Sequence, residues 1–122
     1  MDILFLMLLL QIKHWYADFG IQTYDQTVKK GLYGDPVGIS HSMDHTLWTI
    51  IALCVFAVFY PVDPVLLLII SLAEGIAHYH IDWFKVKYGS KNPATPRYWA
   101  EFGLDQFAHQ LTYLIIIWYL LV

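Results

Sequence analysis

Long apolar stretches alternate with short polar connections along the chain. The longest apolar runs are Ile3–Leu10, Leu47–Tyr60, Val65–Ala73 and Leu111–Val122. Mildly polar or aromatic neighbours extend each run to about the 20 residues that a membrane-spanning helix needs. The pattern therefore predicts an all-α fold, a four-transmembrane-helix bundle that forms a single integral membrane domain over residues 1–122. The predicted helices cover residues 2–23, 40–60, 64–88 and 96–122.

Cap and turn residues separate the predicted helices. Ser40 is the predicted N-cap of the second helix. In the third helix, Asp63 is the predicted cap and Pro64 takes the first helical position, where proline is favoured. Thr95–Pro96 repeats this arrangement at the fourth helix. The glycine-rich connection 24–39 is predicted to be a loop with one short helical turn.

Composition and charge support a membrane protein. Hydrophobic residues make up 58% of the chain and charged residues only 14%, which is unusual for a soluble domain; a soluble all-helical bundle is the alternative. All Lys and Arg residues fall at one end of the predicted bundle. The positive-inside rule then places the first and third connections in the cytoplasm and both termini outside.

Histidines and carboxylates recur at a spacing of four on every predicted helix. Residues four apart share one face of a helix. Because the helices alternate in direction, all of these pairs fall in the cytoplasmic half of the bundle, where they are predicted to meet as a polar core. The eight candidate metal ligands are His14, Asp18, His41, His45, His78, Asp82, Asp105 and His109.

Other polar residues near these positions are predicted to support the site. Glu74 lies one turn before His78 and is predicted to be a catalytic general base near a metal-bound water. Lys85 fits an interfacial anchor, with binding of an anionic headgroup as the alternative. The residues predicted to surround and orient the ligands are Gln22, Asp44, His80, Lys85 and Gln106.

Imidazole and carboxylate together are standard ligands for divalent metals, which predicts a site for one or two ions. Zinc is the preferred ion, with iron and manganese as alternatives. The predicted function is a metal-dependent hydrolase acting on a lipid-like ester or phosphoester. The alternatives are a non-enzymatic protein with a structural polar core, which would bind a host envelope protein, and a proton or cation pathway. The lipid bilayer is the expected partner, a homo-oligomer is compatible with the pattern, and no nucleic-acid partner is expected.

The motifs also resemble those of a known family. The segments that carry the resemblance are His14–Thr23, His41–His45, His78–Lys85 and Asp105–His109. They are similar to the four motifs of an uncharacterised family, a domain of unknown function, of small integral membrane proteins of bacteria and phages. The resemblance covers nearly the whole chain and implies a multi-pass protein of the bacterial inner membrane. A more distant similarity to membrane-bound metal-dependent hydrolases implies a metal and a hydrolytic step by analogy only. The chain departs from the pattern at Lys13 and Trp15, which are expected to make the cytoplasmic mouth more polar.

Overall fold

The structure, a computed structural model, describes all of residues 1–122. The chain is all-α. Its elements are α1 (Asp2–Trp15), a π segment (Tyr16–Gly20), α2 (Tyr24–Lys29), α3 (Pro36–Ala57), α4 (Pro64–Tyr88) and α5 (Pro96–Leu121). The four long helices pack into a bundle, and the short helix α2 packs against α3.

The prediction of a four-transmembrane-helix bundle is wrong, because only α4 is long and apolar enough to cross a membrane. Helix α1 has 14 residues, and at about 1.5 Å per residue it is shorter than the hydrocarbon core of a bilayer. Helices α3 and α5 are longer, but polar and charged residues in their first halves lower their average hydropathy. The structure therefore supports an all-α bundle with one candidate span.

Each of the three long helices α3, α4 and α5 begins with a capping side chain followed by proline. Asp63 Oδ1 accepts a hydrogen bond from the Leu66 amide at 2.9 Å, and Thr95 caps α5 in the same way. Helix α3 begins at Pro36, with Asp35 as its cap, four residues before the predicted start at Ser40. Because the Asp-Pro signal at this position repeats the one that begins α4, the start of α3 was readable from the sequence.

The first predicted helix does not continue to residue 23 as one α-helix. After Trp15 the backbone widens into the π segment, in which the Ile21 amide donates to the Tyr16 carbonyl at 3.0 Å. Such single π turns occur frequently at functional sites. The chain then enters α2 through a capping box formed by Thr23 and Gln26.

The bundle has two unlike halves. The apolar half is filled by nine buried side chains: Leu6, Leu10, Leu53, Phe56, Leu67, Ile70, Tyr113, Ile116 and Ile117. The polar half is filled by buried or nearly buried ionisable side chains: Lys13, His14, Asp18, Lys30, His41, His45, Glu74, His78, Asp82, Asp105 and His109. The predicted polar core is therefore buried inside the bundle.

Helices α3 and α4 approach each other closely at Gly75, within the polar half. A Cβ atom at this position would overlap the hydroxyl of Thr46. Ser42 Oγ donates a hydrogen bond to the Gly75 carbonyl at 2.6 Å, which ties the two backbones together. This close contact brings His45 of α3 against His78 of α4, with the ring centroids 3.4 Å apart.

The outer surface of the bundle is largely apolar. Large aliphatic side chains are exposed along the outward faces of α1, α4 and α5; examples are Leu8, Ile12, Leu72, Ile76, Leu111 and Ile115. Contiguous exposed apolar surface in proteins marks contact with a partner or a lipid. The bundle therefore combines a charged interior at one end with an apolar exterior.

Candidate metal centre

The histidines and carboxylates that the spacing-four pattern singles out converge in the polar half. Within each helix the paired side chains lie side by side: His14 Nε2 is 3.3 Å from Asp18 Oδ2, and His109 Nε2 is 3.6 Å from Asp105 Oδ1. Between helices, His78 of α4 stacks on His109 of α5 with ring centroids 4.1 Å apart. The pairs therefore form one cluster rather than four separate ones.

One group of four side chains surrounds a common point. Asp18 Oδ1 lies 3.1 Å from His41 Nε2, 3.0 Å from His45 Nε2 and 3.6 Å from His78 Nε2. These four ligand atoms lie within 4.8 Å of one another. Ligands about 2.0–2.1 Å from a tetrahedral zinc ion are about 3.3 Å apart, so the geometry fits one ion with little movement.

His78 has no hydrogen-bond partner for either ring nitrogen, although the residue is 1% exposed. Its Nε2 atom is 3.1 Å from Asp82 Oδ2, but the ring is not oriented for a hydrogen bond. Buried polar nitrogens are nearly always paired, and an unpaired one calls for an explanation such as an ion. His78 is also held between two other imidazoles, since His45 stacks on one face and His109 on the other.

A second group of three, His78, Asp82 and His109, also meets the distance requirement for an ion. It shares His78 with the first group. Its carboxylate already has a cation beside it, because Lys30 Nζ lies 3.0 Å from Asp82 Oδ2. The shared histidine puts the two groups in competition, and the lysine beside Asp82 favours occupation of the Asp18 group.

His14, a predicted ligand, is instead satisfied by neighbouring side chains. Its Nδ1 atom lies 2.8 Å from the hydroxyl of Tyr113, and its Nε2 atom lies 2.9 Å from Gln106 Oε1. Because His14 Nε2 also lies 3.3 Å from Asp18 Oδ2, His14 is placed to fix the orientation of the Asp18 carboxylate. Gln106, which was predicted to orient ligands, is placed to do so through His14.

Glu74, the predicted general base, lies on the far side of the histidines. Its carboxylate accepts hydrogen bonds from Lys13 at 2.7 Å and from Thr49 at 2.8 Å. It lies 4.0 Å from His45 Nδ1 and 3.9 Å from His78 Nδ1. These are the ring nitrogens that face away from Asp18. A carboxylate in this place is suited to orienting the two imidazoles rather than to meeting a water at the centre.

The remaining predicted residues divide into those inside the cluster and those outside it. The Gln22 amide nitrogen lies 2.8 Å from His41 Nε2, inside the cluster. Asp44 accepts a hydrogen bond from Gln26 at 3.0 Å and makes no contact with the candidate ligands. His80 is exposed, with its ring bonded to the Ile76 carbonyl. Lys85 lines a polar cavity that opens beside the cluster.

The polar half holds more negative than positive formal charge. Four carboxylates (Asp18, Glu74, Asp82 and Asp105) share it with two lysines (Lys13 and Lys30). Buried charge without compensation is costly. If all the histidines were neutral, two negative charges would be left over, which either protons on the histidines or one divalent cation would balance.

The pKa shifts of the buried groups indicate which of them carry a proton at neutral pH. Burial alone would raise the pKa of Asp18, but hydrogen bonds from His41 and His45 outweigh it and hold the pKa below its usual range. Burial alone would lower the pKa of His109, but the carboxylates of Asp105 and Asp82 raise it to about 9. Asp18 is thus ionised at neutral pH, and protonated His109 supplies one of the positive charges that balance the buried carboxylates.

Four functional residues were not identified from the sequence. Thr49 lies four residues after His45, and Tyr113 lies four residues after His109, so continuing the spacing by one turn would have found both. Lys13, which was expected to make the mouth more polar, is 3% exposed and paired with Glu74. Lys30 follows α2 in a connection, where no helical periodicity indicates its position.

A polar cavity of about 460 Å³ opens beside the cluster. Asp18, Lys30 and Asp105 line it, together with residues from the end of α4 and the start of α5. Asp105 Oδ1 is buried and has no hydrogen-bond partner. The cavity thus reaches two of the candidate metal ligands, Asp18 and Asp105.

The fold and the site define a class of protein: an all-α bundle with a buried histidine–carboxylate cluster that could hold a metal ion. The chain matches, over residues 4–122, the family model described as "Protein of unknown function (DUF3307)". It therefore belongs to that family, as the motifs of the sequence predict. No curated protein and no solved structure is significantly similar to the chain.

Proposed function

We propose that the protein is a metal-dependent hydrolase that binds one divalent ion, with zinc preferred, and cleaves a lipid-like ester or phosphoester. The observation that carries the proposal is the approach of three histidine Nε2 atoms to Asp18 Oδ1, with one ligand atom of each residue within 4.8 Å of the others. Histidine and carboxylate side chains are usual zinc ligands, and the attacking water would take a fifth position on the ion because the side chains fill four. The neighbouring cavity, which Asp18 lines, supports access of a substrate to the site.

The chemistry would proceed by addition of water to the ester. A bound divalent ion would lower the pKa of water to about 7 and so supply hydroxide at neutral pH. The oxygen of water forms a bond to the carbonyl carbon or phosphorus, and the ester bond to the leaving alcohol breaks. Asp105, which lines the cavity, would accept the proton from water and return it to the leaving oxygen.

A lipid-like substrate is supported by a second, more apolar groove. This groove, of about 680 Å³, runs along α4 and α5 and is lined by Ile81, Phe84 and Leu104 among others. It shares Lys85 and Asp105 with the polar cavity. An apolar chain in the groove would leave the attached ester beside Asp105. The exposed apolar faces of the bundle fit the same proposal, in which the protein works in contact with a lipid bilayer.

Metal content of the purified protein tests the proposal. We expect about one zinc ion per chain in the wild type, as a four-ligand site implies. His45→Ala should lose most of it, because it removes a ligand nitrogen. His80→Ala is the matched control, since its exposed imidazole lies outside the cluster. Wild-type protein with less than about 0.2 ion per chain after incubation with zinc would contradict a four-ligand site.

A structural role for the polar half is the second candidate. Its support is that two ion pairs, Lys13–Glu74 and Lys30–Asp82, already satisfy two carboxylates without a metal. Under this view His45→Ala lowers thermal stability and no variant changes the metal content. Hydrolysis of a nitrophenyl ester or phosphoester also separates the two, because Asp105→Asn should slow an enzyme by about 100-fold or more while metal is retained.

A further inference from the structure

We propose that the polar cavity is a binding site for the phosphate group of the substrate, with Lys30 at its floor and Lys85 and Lys91 at its mouth. The inference rests on the proposed function and narrows it, since it selects phosphoesters from the ester classes named above. A lysine ammonium is a common phosphate ligand in proteins. Three lysines from three separate segments line this one cavity.

The lysine at the floor has the most restricted environment. Lys30 is 8% exposed, and its ammonium lies 3.0 Å from Asp82 Oδ2. The cavity therefore has at its base a lysine ammonium that Asp82 holds in place.

The lysines at the mouth are less buried and come from the end of α4 and the connection that follows it. The Lys85 ammonium lies over the ring of Phe102, 5.0 Å from its centroid, and Phe102 is also a wall of the cavity. Lys91 is exposed at the rim. With a volume of about 460 Å³, the cavity has room for a phosphate headgroup and several waters, each of which takes about 30 Å³ in the liquid.

Two carboxylates face the same cavity and oppose the binding of an anion. They are Asp18 and Asp105. A divalent ion on Asp18 would neutralise one of them and attract the phosphate itself. The proposal therefore predicts that phosphate binds well to zinc-loaded protein and weakly to metal-free protein.

Calorimetric titration of the zinc-loaded protein tests the site, with inorganic phosphate and dodecyl phosphate as probes. Lys85→Gln and Lys91→Gln should each weaken binding by about tenfold, the effect of losing one hydrogen bond to a charged group. Lys87→Gln is the control, because this exposed lysine lies over Trp83 and does not line the cavity. It should leave the affinity within about twofold, a free-energy change of only a few tenths of a kcal/mol.

The two probes distinguish the source of the phosphate group. Tighter binding of dodecyl phosphate, by about tenfold or more, would support a lipid phosphoester whose chain lies in the groove along α4 and α5. Equal affinities would keep the phosphate site and overturn the lipid substrate.

The zinc content of the protein after titration separates failure of this site from failure of the metal centre. If zinc is retained and neither probe binds, the phosphate site is wrong and the metal centre stands. If Lys87→Gln weakens binding as much as Lys85→Gln, the effect is general surface charge and the proposed cavity site is wrong. If the protein takes up no zinc, both proposals fall.

Discussion

The apolar half and the polar half of the bundle use the same four long helices for opposite purposes. In the apolar half, buried side chains such as Leu53 and Phe56 each contribute about 1.5–3 kcal/mol through removal from water. In the polar half, buried charges such as Lys13 and Glu74 lose hydration, and their pairing roughly offsets that loss. The comparison indicates that the apolar half stabilises the fold, whereas the buried ion pairs of the polar half contribute little net stability.

The difference between the two halves also indicates where a bound cation would change the stability of the fold. The apolar half is complete without any bound group. The polar half has more carboxylates than lysines, and the ring nitrogens of His78 are unpaired. An ion that binds there would stabilise the folded chain, and its effect should be confined to this half.

Breaking one ion pair in the polar half should have the largest effect. Lys13→Met leaves Glu74 buried without its cation, so we expect the free energy of unfolding to fall by about 3–5 kcal/mol. Urea denaturation measures this. Lys13→Met combined with Glu74→Gln removes both charges and should regain more than half of the loss. A single variant as stable as the wild type would show that the pair is not buried as described.

Truncation in the apolar half should have a similar or slightly smaller effect on stability and none on metal. Leu53 is 0% exposed, and Leu53→Ala should cost about 2–5 kcal/mol by leaving a cavity. Zinc content measured on the folded variant should equal that of the wild type. Loss of zinc in this variant would mean that the two halves are not independent.

Addition of zinc should raise stability by a defined amount. At a free concentration 100 times the dissociation constant, the free energy of unfolding should rise by about 2.7 kcal/mol. The Leu53→Ala variant should keep this increment and Asp18→Asn should lose it. Denaturation with and without a chelator provides the measurement. An increment that survives in Asp18→Asn would place the ion elsewhere.

The smallest expected effect concerns the contact between α3 and α4. Gly75→Ala should cost about 1–3 kcal/mol, because the added methyl group overlaps Thr46. It should also weaken zinc binding, since His45 and His78 would move apart. Gly103→Ala is the matched control, because nothing lies within 4 Å of a Cβ there. That variant should be neutral or slightly stabilising, and equal losses in both variants would contradict a close contact.

The sequence anticipated the meeting of the pairs because a helix converts a spacing of four into a shared face. The rule identified His41, His45 and His78, whose Nε2 atoms face Asp18. It could not predict the partner of each ring nitrogen, because that depends on how the helices pack. His14 has the same spacing as His41 and His45, yet its ring nitrogens lie against Tyr113 and Gln106.

Features that depend on three-dimensional folding were not predictable from periodicity. Lys30 reaches Asp82 from a connection whose course depends on how α2 packs. Hydrophobic composition predicts four spans because it does not separate one apolar helix, α4, from three helices that are too short or are interrupted by polar residues. Ser40 suits an N-cap by residue type, but the Asp35–Pro36 pair begins α3 because Asp35 caps the helix and Pro36 takes its first position.

The π segment changes the direction in which the side chains after Trp15 point around the helix axis. In an α-helix of 3.6 residues per turn, each step of four residues rotates a side chain by about 40° beyond a full turn. His14 and Asp18 would therefore point in directions that differ by about 40°. The wider turn at Tyr16–Gly20 counters this drift, so that Asp18 reaches His41. Removal of a single residue from this turn would re-phase everything that follows it and swing Asp18 away from the three imidazoles.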